Sequence, residues 1–295
     1  MGPDSSPTKF PTLRVADALV HSVSEDEVLA HVISESLAGR GGWVVTHNLD
    51  HLRRLRGDRR FRSVCARANL RVADGMPLIW ASRILGKPLP QRVAGSHLIF
   101  SLSAAAAASN RSIFLLGGNP GTAEGAGTVL ANRYPGLRVA GSACPPFGFE
   151  RDPNYFAGLV QRLKSVSPDI IFVGLGSPKQ EYVIEELQSL LPQSWFLGVG
   201  ISFSFVCGEV VRAPLWLQRI GLEWAHRLGQ EPRRLAKRYL YEGLPYAAIL
   251  FLGALRDRIF GREVSSVPIP STSAFGTCMT LDVALSHEKV QERLP

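Results

Sequence analysis

Cysteine is scarce and scattered in this chain: Cys65, Cys144, Cys207 and Cys278 form no CxxC pair and no dense framework. That excludes a small disulfide-stapled fold and points to a reducing compartment. Long apolar runs are also missing. The longest, Leu244 to Leu255, falls well short of the roughly 20 residues a bilayer-spanning helix needs. The first residues, MGPDSSPTKFPT, place prolines and an acid where an export signal needs a basic patch followed by an apolar core, so export is not expected. No GxxxxGKS/T loop, HExxH, clustered Cys/His spacing or DxD occurs. These absences argue against a nucleoside triphosphate P-loop, a zinc site and a carboxylate-held Mg²⁺; neither a metal nor a cofactor is expected.

Acidic residues are outnumbered, and the imbalance is local. The 295 residues carry a formal charge of +8, and Arg212 to Arg262 alone holds ten Arg or Lys against four Asp or Glu, a net +6. The basicity therefore belongs to a C-terminal feature that can serve phosphates, anionic lipid or nucleic acid. No nucleic-acid reader motif accompanies it, so nucleic acid is not an expected partner.

The most informative stretch is PDIIFVGLGSPKQE, Pro168 to Glu181. Ile170 to Val173 is a short continuous apolar run, the pattern of a parallel strand covered on both faces. Gly174 and Gly176 open a turn that permits close ligand approach. Ser177, Pro178 and Gln180 fit an N-cap, first helical position and capping-box partner. Such a corner favours a phosphate or diphosphate. A dinucleotide fingerprint is weakened by Lys179 at the third glycine position and by the lack of an acid ending the next strand.

The same strand, turn and helix pattern recurs. Ser24 and Glu27 form a capping-box pattern ahead of Val28, Val32 and Ile33; Trp43 to Val45 reads as a strand ending in Thr46, His47 and Asn48. A helix with Leu49, Leu52 and Leu55 follows, its arginines 53, 54, 56, 59 and 60 mostly solvated. Leu70 to Ala73 ends in Asp74 and Gly75. Ile113 to Leu116 ends in Gly117 and Gly118, with Asn119 and Pro120 placed to start a helix. Leu137 to Ala140, the PPFGF loop, a helix opened by Asp152 and Pro153, and the strand Trp195 to Val199 complete the series. The expected fold is α/β, a Rossmann-like, mostly parallel sheet with helices on both faces. The expected organisation is a flexible 1–14, an α/β catalytic domain over 15–211, a basic helical appendage over 212–262 and a disordered tail over 263–295. In the appendage, Pro214 to Leu228 reads as helical and Pro232 as an interruption.

At a parallel sheet's ligand-facing end, Asp74 is either a general base or a structural turn aspartate. Thr46 and Asn48 bind ligand or cap the next helix, and His47 reads equally as a satisfied structural histidine. Arg212, Arg227, Arg234, Lys237 and Arg238 are cations for a leaving diphosphate, or a solvated helix face.

Seven segments in this order resemble the WecG/TagA/CpsF family of bacterial glycosyltransferases: THNLDHL at Thr46, ADGMPLIW at Ala73, RVAGSHL at Arg92, FLLGGNPGTAE at Phe114, PDIIFVGLGSPKQE at Pro168, GVGISFSF at Gly198 and the run from Arg212 to Tyr239. The resemblance spans about Val15 to Tyr239. It implies an inverting, metal-independent transfer from a UDP-sugar, commonly UDP-N-acetylmannosamine, to a polyprenyl-diphosphate-linked sugar at the cytoplasmic membrane face. It also implies Asp74 as base, with Thr46, Asn48, Arg92 and Gln180 lining the active site. Glu181 and the glycine loops would bind nucleotide, while Arg227, Arg234 and Lys237 would help neutralise the diphosphate. His97 and Ser204 depart from the family's usual Asp at both positions, and other UDP-hexoses serve as donors within it. An anionic membrane surface is an expected partner, and family members can form oligomers. The rival class is a non-enzymatic nucleotide or nucleic-acid binding module, supported by the basic segment alone.

Overall fold

The computed structural model describes residues 10–261, except 215 and 218–220. Six strands form one parallel sheet: β3 (Gly42–His47), β4 (Leu70–Ala73), β5 (Ser112–Gly117), β6 (Arg138–Ala143), β7 (Ile170–Gly174) and β8 (Trp195–Gly198), in the order β4-β3-β8-β7-β5-β6. The chain runs outward from β3 to β4, crosses the sheet to β5 and β6, and fills the centre with β7 and β8. The loops leaving all six of these strands therefore fan around one opening.

Both faces are covered, and the side-chain period of two sorts each strand between two cores. Val45, Phe114, Leu116, Ile171 and Val173 face one core, whereas Val44, Ile113, Leu115, Ile170 and Phe172 face the other. The first core is covered by α2 (Leu49–Gly57), α3 (Arg59–Ala66), α4 (Met76–Ile84), α7 (Pro153–Val166) and α8 (Lys179–Leu190). The second is covered by α1 (Glu25–Leu37), α5 (Gly95–Ala108), α6 (Thr122–Arg133) and α9 (Ser202–Val206). This is the Rossmann-like α/β fold that the sequence implies.

Local signals set several helix starts. Ser24 and Glu27 form the reciprocal capping box of α1, with Glu27 N–H donating to Ser24 Oγ over 3.2 Å and Ser24 N–H to Glu27 Oε2 over 2.7 Å. Asp152 caps α7, with Pro153 at its first position. Two expected starts differ. α6 begins at Thr122 after Gly121 in a left-handed conformation, not at Asn119 and Pro120; Thr122 Oγ donates instead to the Asn119 carbonyl. α8 begins at Lys179 without a side-chain cap, for a reason that lies in the cavity described below.

The described residues begin with an antiparallel hairpin, β1 (Thr12–Val15) and β2 (Ala18–His21), so residues 12–14 of the stretch expected to be flexible are strand; His21 Nδ1 accepts from the Arg71 amide at the edge of β4. Past α9, residues 211–214 are not helical; within the expected helix from Pro214 to Leu228, Trp216 and Leu217 are helical, Gly221 and Leu222 are not, and α10 spans Glu223–Gln230. Pro232 then opens α11 (Pro232–Ala236), which continues through a π-helical turn (Lys237–Gly243) into α12 (Leu244–Ile259). Tyr246, Leu250 and Ala254 of α12 are buried in the first core, against α4. The expected tail over 263–295 lies outside the described residues.

Because Phe172 is wholly enclosed between strand and helices, Phe172→Ala should lower unfolding free energy by about 3–5 kcal/mol in urea titrations, whereas Leu252→Ala on the exposed face of α12 should change it little.

Candidate active site

A cavity of about 1120 Å³ opens where the strands end. Thr46 and Asn48 enter from the end of β3, Asp74 from β4, Gly118 from β5, Gly174 and Gly176 from β7, and Gly198 to Ser204 from β8. Arg92, Lys179 and Gln180 complete the protein-core side, while Glu223, Arg227, Arg238 and Tyr239 close it from the C-terminal helices. Ligands of open parallel sheets bind at this end because helix N-termini and free backbone N–H groups gather there.

The glycine corner works differently from its sequence reading. A Cβ on Gly174 would lie 2.7 Å from the Phe203 ring, so its bareness serves packing under α9 as well as access. Gly176 does meet open space, with φ at +74°. Ser177 does not cap α8, and its buried hydroxyl has no hydrogen-bond partner. Gln180 is turned inward instead: its Oε1 accepts from the Gly200 amide over 3.2 Å and its Nε2 donates to Glu181 Oε1 over 2.8 Å. The capping box is thus replaced by a bridge that fixes the loop after β8.

Glu181 and Gly117 lie outside the cavity lining. Glu181 is 1% exposed, beneath Gln180, with His51 Nε2 at 3.7 Å from its Oε1. Gly117 packs against the backbone of Gly174. Burial holds the His47 and His51 imidazoles below their usual pKa, which keeps them neutral.

Asp74 stands at the cavity floor. Burial pushes its pKa up to about 6, and Glu223 adds to the rise against the opposing pull of Arg92, the Gly95 N–H and Arg212. Arg92 Nη1 lies 3.3 Å from Glu223 Oε2, and Arg212 Nε lies 3.8 Å from Glu223 Oε1. Arg212 sits behind Ser96, donating to its hydroxyl over 3.0 Å, rather than on the lining. Glu223 is a site residue that sequence reasoning missed; the EW pair after a glycine marks only a helix start.

Asn48 both lines the cavity and caps α2, accepting from the His51 amide over 3.1 Å, so its two readings coexist. Lys179 is held by Glu150 at 2.8 Å and lies over the rings of Phe147 and Phe149. Arg227 lies over Phe205 with its buried Nε lacking a hydrogen-bond partner. Lys237 is exposed and outside the lining, and the side chain of Arg234, on α11, lies outside the described residues. Arg53 and Arg54, expected to be mostly solvated, instead pair with Asp50, whose Oδ2 also meets Arg238 at 3.2 Å; Arg53 meets Glu242 at 2.9 Å. These contacts tie the C-terminal helices to α2.

A doubly covered parallel sheet with such a cavity defines an α/β protein built to bind a ligand at its strand ends. The chain belongs to the WecG/TagA/CpsF family of glycosyl transferases, whose profile matches residues 13–260. It is 32% identical over 177 residues to an N-acetylglucosaminyldiphosphoundecaprenol N-acetyl-beta-D-mannosaminyltransferase of Bacillus subtilis, covering 60% of this chain and 67% of that protein. A protein of the same name from Bacillus spizizenii is 31% identical over 195 residues, covering 66% and 74%.

Asp50→Asn should weaken the hold on Arg238 and Arg53. Faster amide hydrogen exchange over Lys237–Gly243, with unchanged exchange in β5 and β7, is the expected result.

Proposed function

We propose that this glycosyltransferase moves N-acetylmannosamine, the favoured donor sugar, from UDP to a polyprenyl-diphosphate-linked sugar, with inversion and without a metal. The observation that carries this reading is Asp74: one carboxylate at the cavity floor, its pKa pushed up to about 6, in a cavity that Arg92, Lys179, Arg227 and Arg238 also line. The names of the Bacillus relatives supply the sugar and the kind of acceptor.

In the proposed step, Asp74 takes the proton of the acceptor hydroxyl, whose oxygen attacks the anomeric carbon opposite UDP. The C–O bond to the diphosphate breaks, and UDP leaves with the electron pair. One displacement inverts the centre. Thr46, Asn48, Arg92 and Gln180 position the sugars, and the glycine loops take the nucleotide, with Glu181 supporting Gln180 from beneath. Arg227 and Arg238, the cations of the C-terminal helices that line the cavity, offset the charge on the diphosphate, the part a metal plays elsewhere. Among the described residues no three His, Cys, Asp or Glu side chains converge as metal ligands.

The acceptor's lipid needs a membrane. No helix among the described residues is long and apolar enough to cross one. α12, however, exposes Leu244, Ile249, Leu252, Leu255 and Ile259 beside Arg256 and Arg258. That face supports peripheral binding at the inner surface of the cell membrane. Sedimentation with anionic vesicles should carry the protein down, and neutral vesicles should carry less; recovery in the supernatant from both would remove the membrane contact.

A second reading, transfer from UDP-glucose or UDP-glucuronate in exopolysaccharide assembly, is favoured by the departures His97 and Ser204; Ser204 Oγ donates to Glu209 Oε2 over 3.1 Å. A panel of UDP-sugars with a lipid-diphosphate acceptor, read by mass spectrometry, separates the two.

With a folded pKa of about 6, Asp74 should impose a one-proton loss of kcat/KM below that pH. Its folded pKa exceeds the unfolded value of about 4, so ionising it in the fold costs stability, and the loss develops as pH rises through that window. Asp74→Asn should abolish turnover yet raise the melting temperature at pH 7.5, by at most about 3 kcal/mol in stability. Near-normal turnover in that variant would sink the assignment.

A further inference from the structure

Four charges meet at the base of the cavity, and they alternate in sign. Arg92 and Arg212 are both largely buried, at 18% and 14% side-chain exposure, and Glu223 engages both of them. Asp74 is the second carboxylate within their reach: both guanidiniums act on it electrostatically, and its Oδ2 accepts from the Gly95 amide over 3.4 Å. Two cations and two anions sum to zero. The quartet is balanced in charge without any ligand, although Arg212 Nε, like Arg227 Nε, is buried without a hydrogen-bond partner.

We infer that Glu223 is a positioning residue for Asp74: by engaging Arg92 and Arg212 together, it keeps both guanidiniums from closing on the base. This inference rests on the proposed role of Asp74. An aspartate locked against two arginines would be a weak base, because a direct opposite charge lowers a carboxylate's proton affinity. Proton transfer from a sugar hydroxyl requires the contrary, a carboxylate whose affinity lies near the working pH.

The groups facing Asp74 come from four directions. Arg92 arrives from the segment before α5, the Gly95 N–H from α5 itself, Arg212 from the segment after α9, and Glu223 from the first residue of α10. Glu25 of α1 also acts on Arg212. Glu223 is the member that belongs to the C-terminal helices. The seating of α10 therefore sets the strength of the base, and an unseated α10 leaves Arg92 free to pair with Asp74.

The test titrates Asp74 directly in the full chain, by carboxyl carbon NMR with Asp74→Asn as the assignment reference, beside pH–rate profiles. Glu223→Gln should lower the Asp74 midpoint by about one unit or more and move the acid limb of kcat/KM down with it, while turnover at the plateau falls several-fold. Arg212→Gln should move the midpoint the opposite way. Glu223→Asp, which keeps the charge, should restore the wild-type midpoint, and with Arg212→Gln it carries the test if Glu223→Gln does not fold. A midpoint that stays fixed in Glu223→Gln, or in Arg212→Gln where Glu223→Gln does not fold, overturns the inference. A wild-type protein whose Asp74 titrates as expected but which releases no UDP with any donor and lipid acceptor overturns the proposed function and leaves the charge relation standing.

Discussion

The constraint on which everything else depends is that the central sheet is apolar on both faces. With Val44 and Val45, or Ile170 and Ile171, buried on opposite sides of the same strand, no polar side chain can be placed along a strand without a desolvation cost. Chemistry is pushed to the strand ends. There the backbone stops pairing with neighbours, the chain turns, and Thr46, Asp74, Gly118 and Gly174 reach one space from four different strands. The site is polar because the scaffold cannot be.

The same constraint explains the second layer. Residues beneath the cavity sit in a low-dielectric surround, so each polar group there needs a partner or must lose its charge. Gln180 satisfies the Gly200 amide and Glu181 at once; burial keeps His47 and His51 neutral; Glu223 divides itself between two arginines. A net charge of +6 over the C-terminal segment is therefore a poor measure of free cations. Glu223 occupies Arg212 and Asp50 occupies Arg238, and what remains for a ligand is smaller and more localised than the composition suggests.

Sheet and strand-end residues were legible because their signals are local. A four-residue apolar run followed by a polar residue needs no tertiary knowledge to read, and it yields Asp74, Thr46 and Asn48 directly. Of the two readings of Gln180, cavity lining holds and capping does not: serine and glutamine three apart satisfy a local rule, and only the Gly200 amide, 20 residues away in sequence, shows why the side chain turns inward. Glu223 was invisible, since its meaning comes from Arg92, 131 positions earlier. The β1–β2 hairpin carried a faint signal in the alternation of Leu13, Val15, Ala18 and Val20, masked by the prolines before it. Local grammar locates a site; long-range pairing decides how each residue is used.

The cavity draws its walls from both ends of the described chain, with Thr46 on one side and Tyr239, Leu244 and Phe251 on the other. During synthesis the sheet can assemble once β8 has emerged, yet at that point the pocket is an open shelf, lacking Glu223, Arg227 and the α12 wall. The cavity thus stays open on one side until α12 docks on α4. Folding of the sheet and closure of the cavity are separate events.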